Sequence, residues 1–297
     1  MKFRLFRDIL NVLIISEVTM NADILYTFEN GSRYFRCPIC KGKVALKKQS
    51  LVCANNHSFD IAKQGYINYI MGKKQFKNYD KESFESRKAI LDKGFYSHIL
   101  EDLIGIIEGL PKCTSILDVG CGEGYYARNI VEATDKDVIA FDISKDSVQL
   151  AARSDSTHGV AWFVGDLSQL PIKDNTIDCL LNIFTPANYH EFNRVLRKGG
   201  YLVKVVPGAG HLKEFRALVQ DQLRNKEFSN ERVVDYFDER FSIIDQRKIS
   251  KTFEISAEDA KIFAEMTPLF FNIDKDTLDL SSITHLTVEA EVLVGRK

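Results

Sequence analysis

Cys37 and Cys40 stand two residues apart, Cys53 follows after twelve more and His57 after a further three, giving the pattern C-x2-C-x12-C-x3-H. Two thiolates at that spacing can turn onto one ion at the tip of a tight knuckle, and three sulfurs with one imidazole close the tetrahedron zinc prefers. With all four positions taken by protein, such an ion is structural and not catalytic. Between the pairs, Val44, Leu46, Leu51 and Val52 flank Lys47-Lys48-Gln49-Ser50, which predicts two short strands and a polar turn, a zinc-ribbon hairpin.

A second constellation begins at Asp118, in Asp118-Val119-Gly120-Cys121-Gly122-Glu123-Gly124-Tyr125. The dinucleotide fingerprint G-x-G-x-x-G would require glycine at 125, where this chain has tyrosine, and that counts against NAD. Gly120, Gly122 and Gly124 keep the loop free of side chains, so an adenosyl group and an amino-acid tail can lie against backbone. Asp118, just before the loop, can reach an ammonium group. Asp142 ends the next strand, 22 residues beyond Gly120, where a carboxylate can accept both ribose hydroxyls. Asp166, in Val164-Gly165-Asp166-Leu167, follows the third strand and can accept from an adenine amino group. Three acids at three successive strand ends, together with three glycines, predict S-adenosylmethionine as the ligand. Cys113, Cys121 and Cys179 lie at or beside apolar runs and read as small buried side chains, and Trp162 reads as core. His98, His158 and His285 have no partner pattern.

These residues need elements to hold them. Runs at 115–119, 138–141, 160–164, 177–184 and 201–206 are short, β-branched and mostly apolar, and helical patterns at 125–133, 145–153 and 189–196 alternate with them. Such alternation predicts a parallel sheet covered by helices on both faces, an α/β, Rossmann-like architecture with its ligand at the carboxyl ends of the strands. Ahead of it, residues 81–110 have few breakers, and Ile99, Leu100, Leu103, Ile106, Ile107 and Leu110 share one helix face before Pro111 stops the helix. The expected division is a leader at 1–32, a zinc-binding segment at 33–72, a helical connector at 73–112 and the α/β domain at 113–297.

A chain of 297 residues with 45% hydrophobic content can bury a sizeable core, which excludes global disorder. No apolar run reaches the roughly 18 residues that would span a bilayer. Six cysteines are too few for a disulfide scaffold in so long a chain, and a metal-spaced trio favours a reducing cytoplasm. Lys2, Arg4 and Arg7 before an apolar stretch imitate a secretory leader, but Asp8 interrupts it and no small-residue cleavage site follows. Glu17-Val18 could be encoded by a ribosome-binding sequence, so translation is expected to start at Met20. The net charge of −1 hides an asymmetry: residues 33–93 hold fourteen lysines and arginines against five acids, net +9, and residues 94–297 hold −9. Tyr66, Tyr69, Phe76 and Tyr79 interleave the basic segment. Positive charge to follow phosphates, with aromatics to stack on splayed bases, suits single-stranded or loop RNA.

The D-V-G-C-G-E-G-Y-Y loop, A-F-D-I-S-K after the second strand, R-V-L-R-K-G-G-Y-L before the fifth, and C-P-I-C…C-x3-H-x-F-D-x-A-K-x-G-Y together resemble the RlmA-type 23S rRNA (guanine-N1) methyltransferases from about Tyr34 onward. The methyltransferase motifs belong to a whole superfamily, whereas the cysteine block fused ahead of them is far more specific. The resemblance implies zinc at Cys37, Cys40, Cys53 and His57, and S-adenosylmethionine contacts from Gly124, Tyr125, Tyr96 and His211. It further implies a hairpin of 23S rRNA as partner, with one of two nearby guanines modified, the second linked to macrolide-type resistance. Phe184, Thr185, Pro186 and Asn188 are the expected frame of the target base, and the chain departs here from relatives carrying Tyr-Ala-Pro. His190 and Glu191 are the available acceptors for the guanine N1 proton, although Glu191 fits better as the start of a helix. A homodimer sharing one RNA cleft is expected because one small ribbon offers little area. Against these expectations stand a zinc-containing methyltransferase for small molecules and a non-catalytic RNA-binding module. The +9 segment argues against the first, and the intact glycine loop and Asp142 argue against the second.

Overall fold

The computed structural model describes residues 20–70, 81–222, 229–270, 273 and 278–297, with only the backbone of Lys81 and Glu82. The expected late start therefore concerns residues outside the described ones, as do Lys73, Lys74, Phe76, Lys77 and Tyr79 of the basic segment. Among the described residues no helix is long and apolar enough to cross a membrane.

From Met20 the chain enters helix α1 (Ala22–Gly31), capped by the Asn21 side chain, with Ile24 and Phe28 buried. Thr27 Oγ1 donates to the His158 carbonyl oxygen at 2.6 Å. This part of the segment expected as a leader is packed against the main sheet. The ribbon follows as β1 (Val44–Lys47), β2 (Ser50–Cys53) and β3 (Ser58–Asp60), an antiparallel sheet in that order. Its hairpin turns at Lys48, which takes a left-handed φ of 54°.

The next strand, β4 (Tyr66–Asn68), leaves the ribbon and pairs parallel with β7 (Val160–Val164) of the main sheet. Helices α2 (Lys81–Asp92) and α3 (Ser97–Gly109) occupy the predicted connector. One continuous helical stretch was expected, and Gly94 divides it with a φ of 85°. The apolar positions of α3 are buried as their spacing predicts: Ile99, Leu100, Leu103, Ile106 and Ile107.

The α/β region runs β5 (Ser115–Val119), α4 (Tyr125–Ala133), β6 (Asp137–Asp142), α5 (Lys145–Ser154), β7, β8 (Ile177–Ile183), α6 (Tyr189–Val195), β9 (Leu196–Pro207), α7 (Lys213–Leu218), α8 (Glu231–Asp238), β10 (Ser242–Glu254), α9 (Ala257–Met266) and β11 (His285–Arg296). The eight-stranded sheet has the order β10-β11-β9-β8-β5-β6-β7-β4. Every residue of β5, β7 and β8 is buried, because both sheet faces are covered, and such strands read as apolar runs without alternation. The sheet is mixed: β11 is inserted antiparallel between β9 and β10. Strand order reverses at β5, flanked by β6 and β8, so the crevice for a ligand opens at the carboxyl ends of these strands.

One face of the sheet packs against α2 to α5 and α9. The other packs against α1, the ribbon, α6 and α8, in a single cluster containing Phe28, Phe35, Leu51, Phe163, Phe192 and Phe237. Phe35 meets Phe163 edge-on at 5.5 Å between ring centroids, and Tyr69 lies 5.8 Å from Phe163 and 5.1 Å from Phe59. Tyr66 and Tyr69, expected to stack on RNA bases, are thus core side chains, exposed by only 5% and 7%. The ribbon is too small to make a core of its own, so its aromatics are consumed in joining it to the sheet.

Candidate functional site

The four predicted metal ligands converge. Their donor atoms all lie within 4.8 Å of one another. Cys37 Sγ and Cys53 Sγ are each 3.4 Å from His57 Nδ1, and Cys40 Sγ is 3.7 Å from Cys53 Sγ. A zinc tetrahedron with Zn–S near 2.3 Å has S···S edges of about 3.8 Å, so the cage fits that ion. The knuckle is tied by its backbone: Lys41 N donates to Cys37 O at 2.9 Å and Cys37 N to Gly42 O at 2.8 Å, while Lys41 takes a φ of 60°.

The second site lies at the switch point. Asp142 Oδ2 accepts from Gly122 N at 3.0 Å and its Oδ1 accepts from Ser144 N at 2.9 Å, so the carboxylate joins the end of β6 to the glycine loop. The three glycines do different things. A Cβ on Gly120 would sit 2.4 Å from Thr185 Oγ1, across the crevice. A Cβ on Gly124 would strike Trp162 and Ala151 at 2.5 and 2.7 Å, and its φ is 82°, so this glycine seats α4 against the sheet. Only at Gly122 is the space open, with Arg87 Nε the nearest atom at 3.9 Å.

Asp118 is buried, and its Oδ2 has no hydrogen-bond partner. Burial first, then the charges of Glu123 and Asp142, push its carboxyl up to about 7. Glu123 is also buried, with Oε2 without a hydrogen bond, although Arg87 Nε stands 3.1 Å from that oxygen as an ion pair. Burial raises this carboxyl too, against the pull of Arg87. An orphaned, buried carboxylate oxygen on Asp118, with the paired carboxylate of Glu123 close to the same glycine loop, fits a cationic ligand such as S-adenosylmethionine. Asp166, after β7, accepts from Ser168 N at 2.8 Å through Oδ1.

The opposite wall is aromatic. Phe184 stacks on His211 at 6.0 Å and meets Tyr96 edge-on at 6.1 Å, and Tyr96 lies 6.3 Å from His211. Burial drives His211 down to about 4, and its Nδ1 accepts from Glu289 N at 3.2 Å, which leaves the ring proton on Nε2. His211 is therefore a neutral donor and not a proton acceptor. Phe184 holds a left-handed φ of 52°, a strained state for a bulky residue and one that marks functional loops. Pro186 is anchored by its carbonyl, which accepts from Asn182 Nδ2 at 3.1 Å. Asn188 is spent on structure, its Oδ1 accepting from Glu191 N and its Nδ2 donating to Leu167 O. Glu191 is buried in hydrogen bonds from Leu170 N and Arg194, as a helix start, while His190 lies exposed on α6.

Sequence patterns passed over Arg87, Glu123 and Glu289. Glu289 accepts from Gly210 N at 2.8 Å and from Lys248 at 2.9 Å, and a Cβ on Gly208 or Gly210 would meet its side chain at 2.6 or 2.7 Å. It fixes the loop carrying His211. An acid in the middle of a strand gives no hint of that role. Of the basic segment, Arg33, Arg36, Arg87, Lys88 and Lys93 pair with acids, whereas Lys41, Lys43, Lys47, Lys48 and Lys63 are exposed on the ribbon and form no ion pair among the described residues.

Residues 35–74 match the family model "RlmA, N-terminal", and residues 116–200 match the model "Methyltransferase domain". The 23S rRNA (guanine(748)-N(1))-methyltransferase of Streptomyces fradiae is 30% identical over 280 residues, 90% of this chain and 98% of that protein. The chain belongs to the RlmA-type 23S rRNA (guanine-N1) methyltransferase family. YxjB of Bacillus subtilis (strain 168), named as a candidate for the same family of reactions, is 30% identical over 276 residues, 89% of this chain and 97% of that one. By contrast, a sterol 24-C-methyltransferase of Aspergillus fumigatus is 32% identical over only 116 residues, 35% of this chain. The superfamily domain is shared widely, and the RlmA ribbon with full-length similarity is what separates this family from it.

Proposed function

We propose that the protein transfers a methyl group from S-adenosylmethionine to N1 of a guanine in a hairpin loop of 23S ribosomal RNA. The observation that carries the proposal is the pairing of a Cys3His ribbon with the orphaned Asp118 carboxylate oxygen at the switch point of a methyltransferase sheet, in a chain of this family.

S-adenosylmethionine supplies an electrophilic methyl on a cationic sulfur. Asp118 is assigned to its ammonium, Asp142 to its ribose hydroxyls and Asp166 to its adenine amino group. Gly122 leaves room for it, Gly120 lets the loop lie close against Thr185, Gly124 and Tyr125 form the loop end beside it, and Tyr96 and His211 wall it in. Guanine N1 is hidden in a base pair within a duplex, so the base must come from a loop or be flipped out. Phe184, Thr185 and Pro186 frame the place it would take, with the neutral His211 offering Nε2–H toward an acceptor on the ring. Alignment of base and methyl supplies much of the acceleration, since near-attack placement is worth several kcal/mol. Glu191 is engaged by Leu170 N and Arg194 and His190 is exposed on α6, so neither is assigned to the N1 proton.

In the same reading the exposed ribbon lysines 41, 43, 47, 48 and 63 follow the RNA backbone, zinc at Cys37, Cys40, Cys53 and His57 holds them in place, and two copies flank one hairpin. The test is methyl transfer from labelled cofactor onto ribosomal RNA lacking the modification, with mapping of the product. Label at a guanine N1 is expected. Label on a small metabolite, with none on RNA, overturns the proposal. Sedimentation as a monomer with bound RNA would remove the paired arrangement.

A further inference from the structure

The acids of the pocket answer two charges of S-adenosylmethionine, the ammonium and the sulfonium, but its α-carboxylate also needs a partner. Asp118, Glu123 and Asp142 all repel it. Arg87, on α2, brings a guanidinium to the one open side of the glycine loop, 3.9 Å from the Cβ position of Gly122 and 3.1 Å from Glu123 Oε2. Its side chain is 31% exposed although its Nε is buried, so the outer part of the guanidinium is open to solvent. Its charge is felt at Asp118, Asp142 and Tyr96, on three different sides of the pocket. A guanidinium offers five donors in a planar fork, enough to keep Glu123 and still take a carboxylate in bidentate fashion.

We propose that Arg87 holds the α-carboxylate of S-adenosylmethionine, with Glu123 as the anchor that aims its guanidinium across the glycine loop. This rests on the reading of the pocket as the cofactor site and is independent of the RNA. The connector helix α2 is then part of the cofactor site as well as a spacer between ribbon and sheet. The alternative role is electrostatic, with Arg87 merely neutralising the acids. The two roles predict opposite signs for the intact cofactor once the guanidinium is removed: loss of a carboxylate partner weakens its binding, whereas loss of a merely neutralising cation strengthens the binding of any cationic ligand.

Calorimetric titration of the full-length protein with S-adenosylmethionine and with decarboxylated S-adenosylmethionine separates them. The unaltered protein should prefer the intact cofactor by about tenfold to a hundredfold, as a charge-assisted pair allows. Arg87→Gln should erase that preference by weakening the intact cofactor alone, with the decarboxylated form bound as well as before or better. Arg87→Lys should restore part of it. Equal weakening of both ligands in Arg87→Gln, or equal affinity of the unaltered protein for both, overturns the proposal. The second comparison needs no variant to fold. Binding of neither ligand by the unaltered protein would sink the proposed function itself, while failure to methylate RNA would leave the titration result standing.

Discussion

Asp118 and His211 are both buried, and burial shifts them in opposite directions. The Asp118 carboxyl moves from 3.8 to about 7, so its contribution to stability is present below about pH 4 and lost as the pH rises through 7. A cationic ligand binds its ionised form. Cofactor affinity should therefore rise about tenfold from pH 6 to pH 8, and Asp118→Asn should flatten that profile; a slope that persists in the variant would remove Asp118 from the ammonium role. His211 falls from 6.5 to about 4, so its contribution is full above pH 6.5 and lost as the pH falls toward 4, up to about 3 kcal/mol. Chemical denaturation of His211→Asn at pH 7 and pH 4.5 should show a shallower loss than the parent. Gly124→Ala combines a left-handed backbone with a Cβ pressed onto Trp162, and should cost about 2–4 kcal/mol, read as a lower melting temperature. The convergence of Cys37, Cys40, Cys53 and His57 and the placement of Asp118, Gly120 and Asp142 around the glycine loop were legible because each sits in a fixed spacing or at a strand end. Glu123 was passed over as one letter of the loop, and Arg87 as one more charge in a basic run. Pairing across the fold leaves no local pattern.

At the scale of elements, the parallel strands and their helices were readable because both faces of the sheet are covered, which writes each strand as an apolar run. The fate of β4 was not readable. Three residues from 66 to 68 look like the tail of the ribbon, and only the free edge of β7 draws them into the main sheet. The same pull took Tyr66 and Tyr69 out of contention for RNA, a difference composition cannot register. On the proposed reading, the ribbon surface that meets RNA is its exposed lysines. Reversing Lys47 and Lys48 to glutamate should weaken RNA binding about tenfold or more and lower the salt dependence by about two counterions, with cofactor affinity unchanged. An unaltered salt slope would place the RNA elsewhere.

At the scale of the molecule, ribbon and sheet share one aromatic cluster through Phe35, Phe59, Tyr69 and Phe163, so they should unfold together. Phe35→Ala should cost about 3–5 kcal/mol and lower a single calorimetric transition; two separate transitions would show independent units. Cys40→Ser should release zinc and depress the same transition, and stoichiometric metal retained in that variant would show the ligand assignment to be mistaken.

Strand β4 also does something for the sheet by lying where it does. A parallel sheet ending at β7 would present a bare row of amides and carbonyls beside an exposed aromatic floor of Phe141 and Phe163. The front segment supplies both the cap for that row and the cover for that floor. A chain cut to begin at residue 113 would carry the whole glycine loop and all three strand-end acids, yet it should collect into aggregates. Front and back are therefore inherited together: exchanging the ribbon for that of another protein would require bringing its neighbouring strand along with it.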